Sequence, residues 1–341
     1  MDTAIDEVIV PVAEVRAAAV DVLVRHGASS ADAELTADAL LRADLRGQPS
    51  HGLLRLRTIC ERLKAGLIDP DAELGITRPT PSLVLVDGRR GLGHVVASQV
   101  TELMLETVEQ TGVCLASVTN ANHIGMAGIY AEYAALRGMV MLVTSVSETM
   151  VRPHGGIEPL LGTNPIAIGV PAEPVPFILD MSTAASSIGK LIEHREAGRS
   201  IPDDWAVDPA GLPTTDPAAG LAGAINPYGG AKGYGLALAV ALLAGGLTGA
   251  ALGPAVTGTL DAKDVCNVGD LFVMAAPSYF GGGESFVTRV SGYLDELRAS
   301  RPAPGFERVL IPGDRGRAQE AAARASGLRL RSSLWEEVKA L

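Results

Sequence analysis

The chain has 341 residues, 47% of them hydrophobic, and a formal net charge of −11 at neutral pH. This length supports two or three domains with a large core. The acidity argues against nucleic acid, whose affinity rests on basic contacts to phosphate, and against an anionic membrane surface.

Residues 11–66 read as three helices. The first, Val12–Arg25, is apolar along one face and stops at His26-Gly27. Ser29 with Asp32 forms a capping pattern that opens the second, which runs to about Ala43. Ser50 is expected to cap the third, which ends at Ala65-Gly66. Proline-rich "TRPTPS" (77–82) reads as a boundary. Strand-like runs follow at 82–86, 113–118, 139–146, 165–170, 177–181 and 270–275. Helical runs fall between them near 95–110, 129–137, 186–198, 234–244 and 284–299. Residues 202–217 form a polar excursion too turn-rich for a strand. Near the end "RVLI" (308–311) reads as a short strand and "RAQEAAARAS" (317–326) as a helix. Ser333 with Glu336 opens a last helix. The uncharged run Gly233–Leu260 is long enough to span a bilayer. Gly245-Gly246 interrupts it and no basic cluster flanks it, so a buried helix of a soluble core is expected.

Cys60, Cys114 and Cys266 lie far apart without a C-x-x-C pair, which fits a reducing cytoplasm and no metal site. The acidic start "MDTAIDEVIVPVAEV" lacks the basic opening of a secretory signal, so no export is expected.

Four stretches carry candidate chemistry. "LVLVDGRRGLGHVVA" places Gly91-x-Gly93 between a strand and a helix, as a dinucleotide fold does, but Val96 holds the third position. "NPYGGAKGYG" sets Lys232 among glycines before a helix. That suits a phosphate, or simply a glycine-rich helix start. "NANHIGMAG" holds His123 in a strand-to-helix loop, where sites concentrate, although a lone histidine is more often packed or solvated. In "SHGLLR", a capping Ser50 puts His51 in the first helical turn and Arg55 one turn further on the same face. The positive helix end and Arg55 both disfavour imidazolium, so His51 stays neutral and can accept a proton. Arg55 can grip a carboxylate in bidentate fashion. The pair suits a substrate with a hydroxyl next to a carboxylate; the plain alternative is a solvated helix start. A Ser-His-Asp hydrolase using Asp180 is weakened by the absence of a G-x-S-x-G elbow.

Together "SHGLLR", "NANHIGMAGIYAEYA", "GTNPIAIGVPA", "LDMSTAASSIGK", "IPDDWAVDPAGLPTTDP", "GGAKGYGLAL" and "IPGDRG" resemble, in order, the motifs of the malate/L-lactate dehydrogenase family that lacks a Rossmann fold. Its branches include L-sulfolactate and ureidoglycolate dehydrogenases and the cyclic imino acid reductases. The resemblance implies an α/β fold with a largely antiparallel sheet flanked by helices, and a homodimer. It implies a helical dimerisation unit (1–78 with 295–341), a cofactor-binding sheet domain (79–182 with 223–294) and an excursion near the substrate (183–222). It turns the G-x-G reading away from a Rossmann site. By the same mapping Ser147, Asp180, Met181, Ser182, Thr183, Lys232, Gly233, Gly313 and Asp314, together with His123, line NAD or NADP. His123 falls where the ureidoglycolate branch has its proton acceptor. Ser50 and His51 fall where the imine branch has a relay, and Arg55 where that branch holds the substrate carboxylate. Many members carry a tyrosine eight residues after the SHG histidine; here it is Ile59. The imine reductases carry a His-Gly-Asp triplet where this chain has Ile188-Gly189-Lys190, so Lys190 near the substrate would repel a protonated imine and tolerate a carbonyl.

The expected activity is therefore an NAD(P)-dependent interconversion of a small 2-hydroxy acid and its 2-oxo acid in the cytoplasm. Catalysis falls to His123 or His51 with Ser50, and substrate binding to Arg55 and Lys190. Imine reduction on the same scaffold and a non-catalytic cofactor-binding homologue are the alternatives.

Overall fold

The computed structural model describes residues 6–341. In chain order its elements begin with β1 (Glu7–Val10), α1 (Val12–Arg25), α2 (Ser30–Leu45), α3 (Leu56–Lys64), β2 (Gly75–Thr80), β3 (Leu83–Asp87), α4 (Gly93–Thr111) and β4 (Val113–Thr119). There follow α5 (Gly128–Ala135), β5 (Val140–Ser145), β6 (Ile166–Val170), β7 (Phe177–Met181), α6 (Ile188–Glu196), β8 (Ala206–Val207), α7 (Pro217–Ala222) and β9 (Ala224–Ile225). The chain closes with α8 (Ala231–Val240), β10 (Asp270–Ala275), α9 (Phe286–Ala299), α10 (Asp314–Ser326), β11 (Leu328–Arg331) and α11 (Ser332–Ala340).

A seven-stranded sheet in the order β2-β3-β4-β10-β5-β6-β7 forms the centre. Only β3 and β4 run parallel, joined by α4 as the crossover; every other neighbouring pair is antiparallel. Alternation sets the faces. Cys114, Ala116 and Val118 of β4 and Phe272 and Met274 of β10 point into one core with Val100, Met104 and Val108 of α4. A second core joins the chain ends: Val15, Val22 and Leu23 of α1, Leu40 of α2 and Leu56 of α3 meet Leu330, Trp335 and Val338 from the C-terminus. The β1–β11 ladder closes this unit. Ser29 caps α2, its side chain accepting from Asp32 N–H, as the capping pattern predicts.

Several expectations are corrected. Ser50 caps no helix; it lies in a one-turn 3-10 segment, Pro49–His51, and α3 begins only at Leu56. Gly52 breaks the winding between two such turns. "TRPTPS" is no boundary: residues 77–80 belong to edge strand β2, where Pro79 is tolerated because an edge need not donate every N–H. "RVLI" forms no strand, since no neighbouring strand pairs with residues 308–311. The last helix is present, but Arg331 precedes it and no side chain caps it. The run after Gly233 is helical to Val240 and then widens into a π-type turn over Ala241–Leu247. It is not fully buried: Leu242 is 54% and Leu247 63% exposed. Among the described residues no helix is long and apolar enough to cross a membrane.

Candidate active site

The "SHGLLR" turn is built on a buried acid. The Asp44 carboxyl, at the end of α2, accepts the Leu53 N–H at 2.7 Å. A Cβ on Gly52 would overlap that carboxyl, so glycine is required for the close approach. Burial pushes the Asp44 pKa up to about 7. The Arg55 side chain folds back over the turn, its Nε donating to the Ser50 carbonyl at 2.8 Å and its Nη1 to the Thr259 carbonyl at 2.9 Å. Burial works against its charge and Glu148 works for it.

His51 and His123 are brought together with Arg55. The imidazole rings stack with centroids 5.5 Å apart and 21° between planes. Ser50 Oγ and His51 Nδ1 share a hydrogen bond at 3.0 Å. Gly125 N–H donates to His123 Nδ1 at 3.2 Å. Burial, and then the Arg55 charge, lowers the His51 pKa to about 4. The same two causes hold His123 well below the ordinary imidazole range. Both rings are neutral at pH 7. The sequence expectation for His51 is right in direction and incomplete in cause: burial leads, and the helix end invoked for it does not exist.

Beneath them the first turn of α4 supplies a third histidine, His94, which burial first and then His51 and Arg55 hold at a pKa of about 4. The Gly91-x-Gly93 pattern explains itself here. A Cβ on Gly93 would overlap the carbonyl oxygens of Asn122 and His123. The Gly91 carbonyl accepts from Asn122 Nδ2 at 3.0 Å. These glycines seat the histidine loop. Arg62 of α3 braces the same loop: Nε and Nη2 donate to Asn122 Oδ1 at 3.1 and 3.0 Å, and Nη1 to the carbonyls of Asp261 and Asp264 at 2.7 and 3.0 Å. Glu148 Oε1 accepts from Thr259 N–H, Thr259 Oγ1 and Leu260 N–H at 2.6, 3.1 and 3.2 Å, fixing the carbonyl that holds Arg55. Asp44, Arg62, His94, Glu148 and Thr259 escaped the sequence reading. Asp44 left one trace, an acid shortly before the Gly52 whose missing Cβ it fills.

The expected cofactor residues fall in three places. At the ends of β5 to β7, Ser147 Oγ meets Thr163 Oγ1 at 3.1 Å, while Ser182 Oγ and Thr183 Oγ1 donate to the Thr163 carbonyl at 3.1 and 3.0 Å. Beside them Asp180, on β7 next to Met181, accepts the Gly128 N–H at 2.8 Å, and burial raises its pKa to about 6. Asp180, Gly128 and Gly313 line a cavity of about 390 Å³ with Arg46 and Arg315. A Cβ on Gly128 would lie 2.7 Å from Asp180 Oδ2, so this wall is shaped for close approach. These residues fit a nicotinamide dinucleotide through open volume, nearby hydroxyls and the Arg315 cation; Arg46 beside it is paired with Glu132 at 2.7 Å and Glu320 at 2.8 Å. Asp314 is otherwise engaged, accepting the Ile311 N–H at 3.0 Å and pairing with Arg298 at 3.2 Å and Arg317 at 2.9 Å; it fixes the turn that presents Gly313. Lys232 lies exposed in the first turn of α8, and Gly233 packs on the Tyr228 backbone with no room for a Cβ. Lys190 is exposed on α6, its ammonium 5.7 Å over the Trp205 ring. It is not among the residues that line the cavity beside His123. Among the described residues no cluster of histidine, cysteine or acid has a metal-ligand arrangement.

A family model for malate/L-lactate dehydrogenase matches residues 10–339. L-sulfolactate dehydrogenase of Methanocaldococcus jannaschii is 42% identical over 86% of this chain and 85% of its own length. Malate dehydrogenase of Pyrococcus horikoshii is 38% identical over 87% of this chain and 84% of its own. The crystal structure of a dehydrogenase from Sinorhizobium meliloti superposes with a TM-score of 0.94 at 44% identity, covering 98% of both chains. Thus the fold and the ordered motifs converge, and the chain belongs to the malate/L-lactate dehydrogenase family of 2-hydroxy-acid dehydrogenases.

Proposed function

We propose that this protein interconverts a small 2-hydroxy acid and its 2-oxo acid with NAD or NADP, Arg55 holding the carboxylate and the histidine pair handling the proton. The supporting observation is two neutral imidazoles stacked beside a buried guanidinium whose Nη2 has no acceptor among the described residues. A carboxylate at Nη2 brings the adjacent carbon against the rings.

The hydrogen bonds separate the two histidines. Gly125 N–H needs the lone pair of His123 Nδ1, so the single proton of that neutral ring sits on Nε2. His123 therefore offers a donor, suited to holding the C2 oxygen. His51 Nδ1 can donate to Ser50 Oγ, which leaves Nε2 free to accept the hydroxyl proton. The bound nicotinamide supplies the hydride acceptor. The hydroxyl cluster around Ser147, Ser182 and Thr183, with Asp180 and Gly313, supports the dinucleotide, and we assign exposed Lys232 to its phosphate. Lys190 bears on substrate preference only if α6 moves toward the rings.

Exposed Leu242 and Leu247 within the π-type turn support a homodimer, which sedimentation at twice the 35.2 kDa chain mass would check. The three buried free cysteines support a reducing, cytoplasmic setting. Substitution tests the central roles. In His51→Gln, turnover of a 2-oxo acid followed at the reduced-cofactor absorbance should fall by about 10²–10⁴-fold. Because glutamine keeps a donor, His123→Gln should lose less. Near-normal turnover in both variants would reject histidine catalysis.

A further inference from the structure

The cavity between β7 and the turn before α10, lined by Asp180, Gly313, Arg46 and Arg315, has a volume of about 390 Å³. That is at the small end for a ligand site, so one nucleoside half of a dinucleotide would fill it. The neighbours decide which half. Ser147 of the hydroxyl cluster precedes Glu148, whose carboxylate anchors Thr259 and through it Arg55. The cluster is therefore the end nearest the reacting carbon and suits the nicotinamide. The cavity is left for the adenosine half, and Ile178, Leu310 and Pro312 give it an apolar wall for a flat base.

Charge then separates the two nucleotides. NAD carries a free 2′-hydroxyl on its adenosine ribose, which a carboxylate meets; NADP carries a phosphate there, which calls for a guanidinium. Asp314 is not free for a hydroxyl, because Arg298 at 3.2 Å and Arg317 at 2.9 Å hold it. Asp180, the one acid on the cavity wall, has Oδ2 on the Gly128 N–H at 2.8 Å. Arg46 is neutralised by Glu132 at 2.7 Å and Glu320 at 2.8 Å. Arg315 is exposed at the cavity and pairs with no acid among the described residues. It is thus the cation of this wall that is open to an anion.

We propose that Arg315 sets the nucleotide preference of this enzyme by holding the 2′-phosphate of NADP, so that NADPH is favoured over NADH. The inference rests on the reading that this cavity receives the dinucleotide. A planar guanidinium can meet two phosphate oxygens at once, and Arg315 has no other partner to give up.

The test measures dissociation constants for NADPH and NADH by cofactor fluorescence in wild type, Arg315→Gln, Arg315→Lys and Lys232→Gln. Calorimetry of adenosine 2′,5′-bisphosphate against AMP gives a second readout that is free of the nicotinamide. Circular dichroism first establishes that each variant folds. Wild type should bind NADPH more tightly than NADH, and the bisphosphate more tightly than AMP, by about 10- to 150-fold, the worth of a charged hydrogen bond. Arg315→Gln should bring both ratios toward one with NADH affinity little changed, and Arg315→Lys should keep part of the preference. Lys232→Gln should weaken NADPH and NADH by the same factor, since the two share the pyrophosphate. The proposal is overturned, with the dinucleotide reading intact, if wild type binds NADH as tightly as NADPH. A ratio that survives Arg315→Gln, or one lost in Lys232→Gln instead, overturns it equally. Binding of neither nucleotide overturns the dinucleotide reading and the proposal with it.

Discussion

At Arg55 the arrangement of donors decides more than the charge. Nε and Nη1 are spent on backbone carbonyls, so only the planar fork leaves Nη2 correctly aimed. Lysine at this position keeps the charge and loses the fork. Arg55→Lys should raise KM for the 2-oxo acid by about 10-fold or more, the lower end for a charged hydrogen bond, with kcat less affected. Steady-state kinetics checks this, and an unchanged KM in Arg55→Lys and Arg55→Ala removes Arg55 from the site. His51 makes a second prediction. A base must be neutral to accept a proton, and burial lowers its pKa to about 4. Activity that depends on neutral His51 is thus retained as pH falls through the ordinary value near 6.5 and is lost only toward pH 4. The acid limb of kcat/KM for hydroxy-acid oxidation, which reports the free enzyme, should lie well below that ordinary value. A limb at 6.5 would mean that His51 is solvated or is not the base.

Between elements, glycines decide how closely the site's segments meet. Gly93 brings α4 against the backbone of the histidine loop, where carbonyl oxygens cannot yield as a side-chain tip can. Gly93→Ala should destabilise by about 1–3 kcal/mol, as overpacking does, and should depress activity with it. Gly292, in the exposed interior of α9, meets nothing within 4 Å, so Gly292→Ala should stabilise by about 0.5–1 kcal/mol. Chemical denaturation of the pair checks the contrast, and equal effects would contradict the packing account. The same scale shows what the sequence can tell. Strands such as 113–119 and 270–275 announce themselves, being long, β-rich and bounded. Strands β1 and β11 escape notice because each has four residues and gains its partner only when the chain ends meet. The "SHGLLR" turn also misleads, because a serine before apolar residues looks like a helix cap until the Asp44 carboxyl claims Leu53 N–H. The site follows the same rule. His51 and His123 stand out because the chain has only six histidines, and Arg55 because of its spacing from His51. His94 and Arg62 lie inside helical runs and Glu148 in a polar loop after β5, and only tertiary contact gives them a role.

For the whole molecule, the sheet brings together segments far apart in the chain. The SHG turn after α2, the loop after β4, the segment after β5 and residues 258–264 all meet at one end of the sheet. The family likeness spans 10–339, so this assembly, rather than any one motif, carries the functional reading. The central claim is a carbonyl substrate beside a carboxylate. It is tested most directly by reduced-cofactor oxidation with 2-oxo acids, such as pyruvate and oxaloacetate, against piperideine-2-carboxylate on the same preparation. The account predicts that the best 2-oxo acid exceeds the cyclic imine by at least about 10²-fold in kcat/KM, a cautious fraction of what repulsion of an iminium by Arg55 and Arg62 implies. Faster reduction of piperideine-2-carboxylate would contradict it.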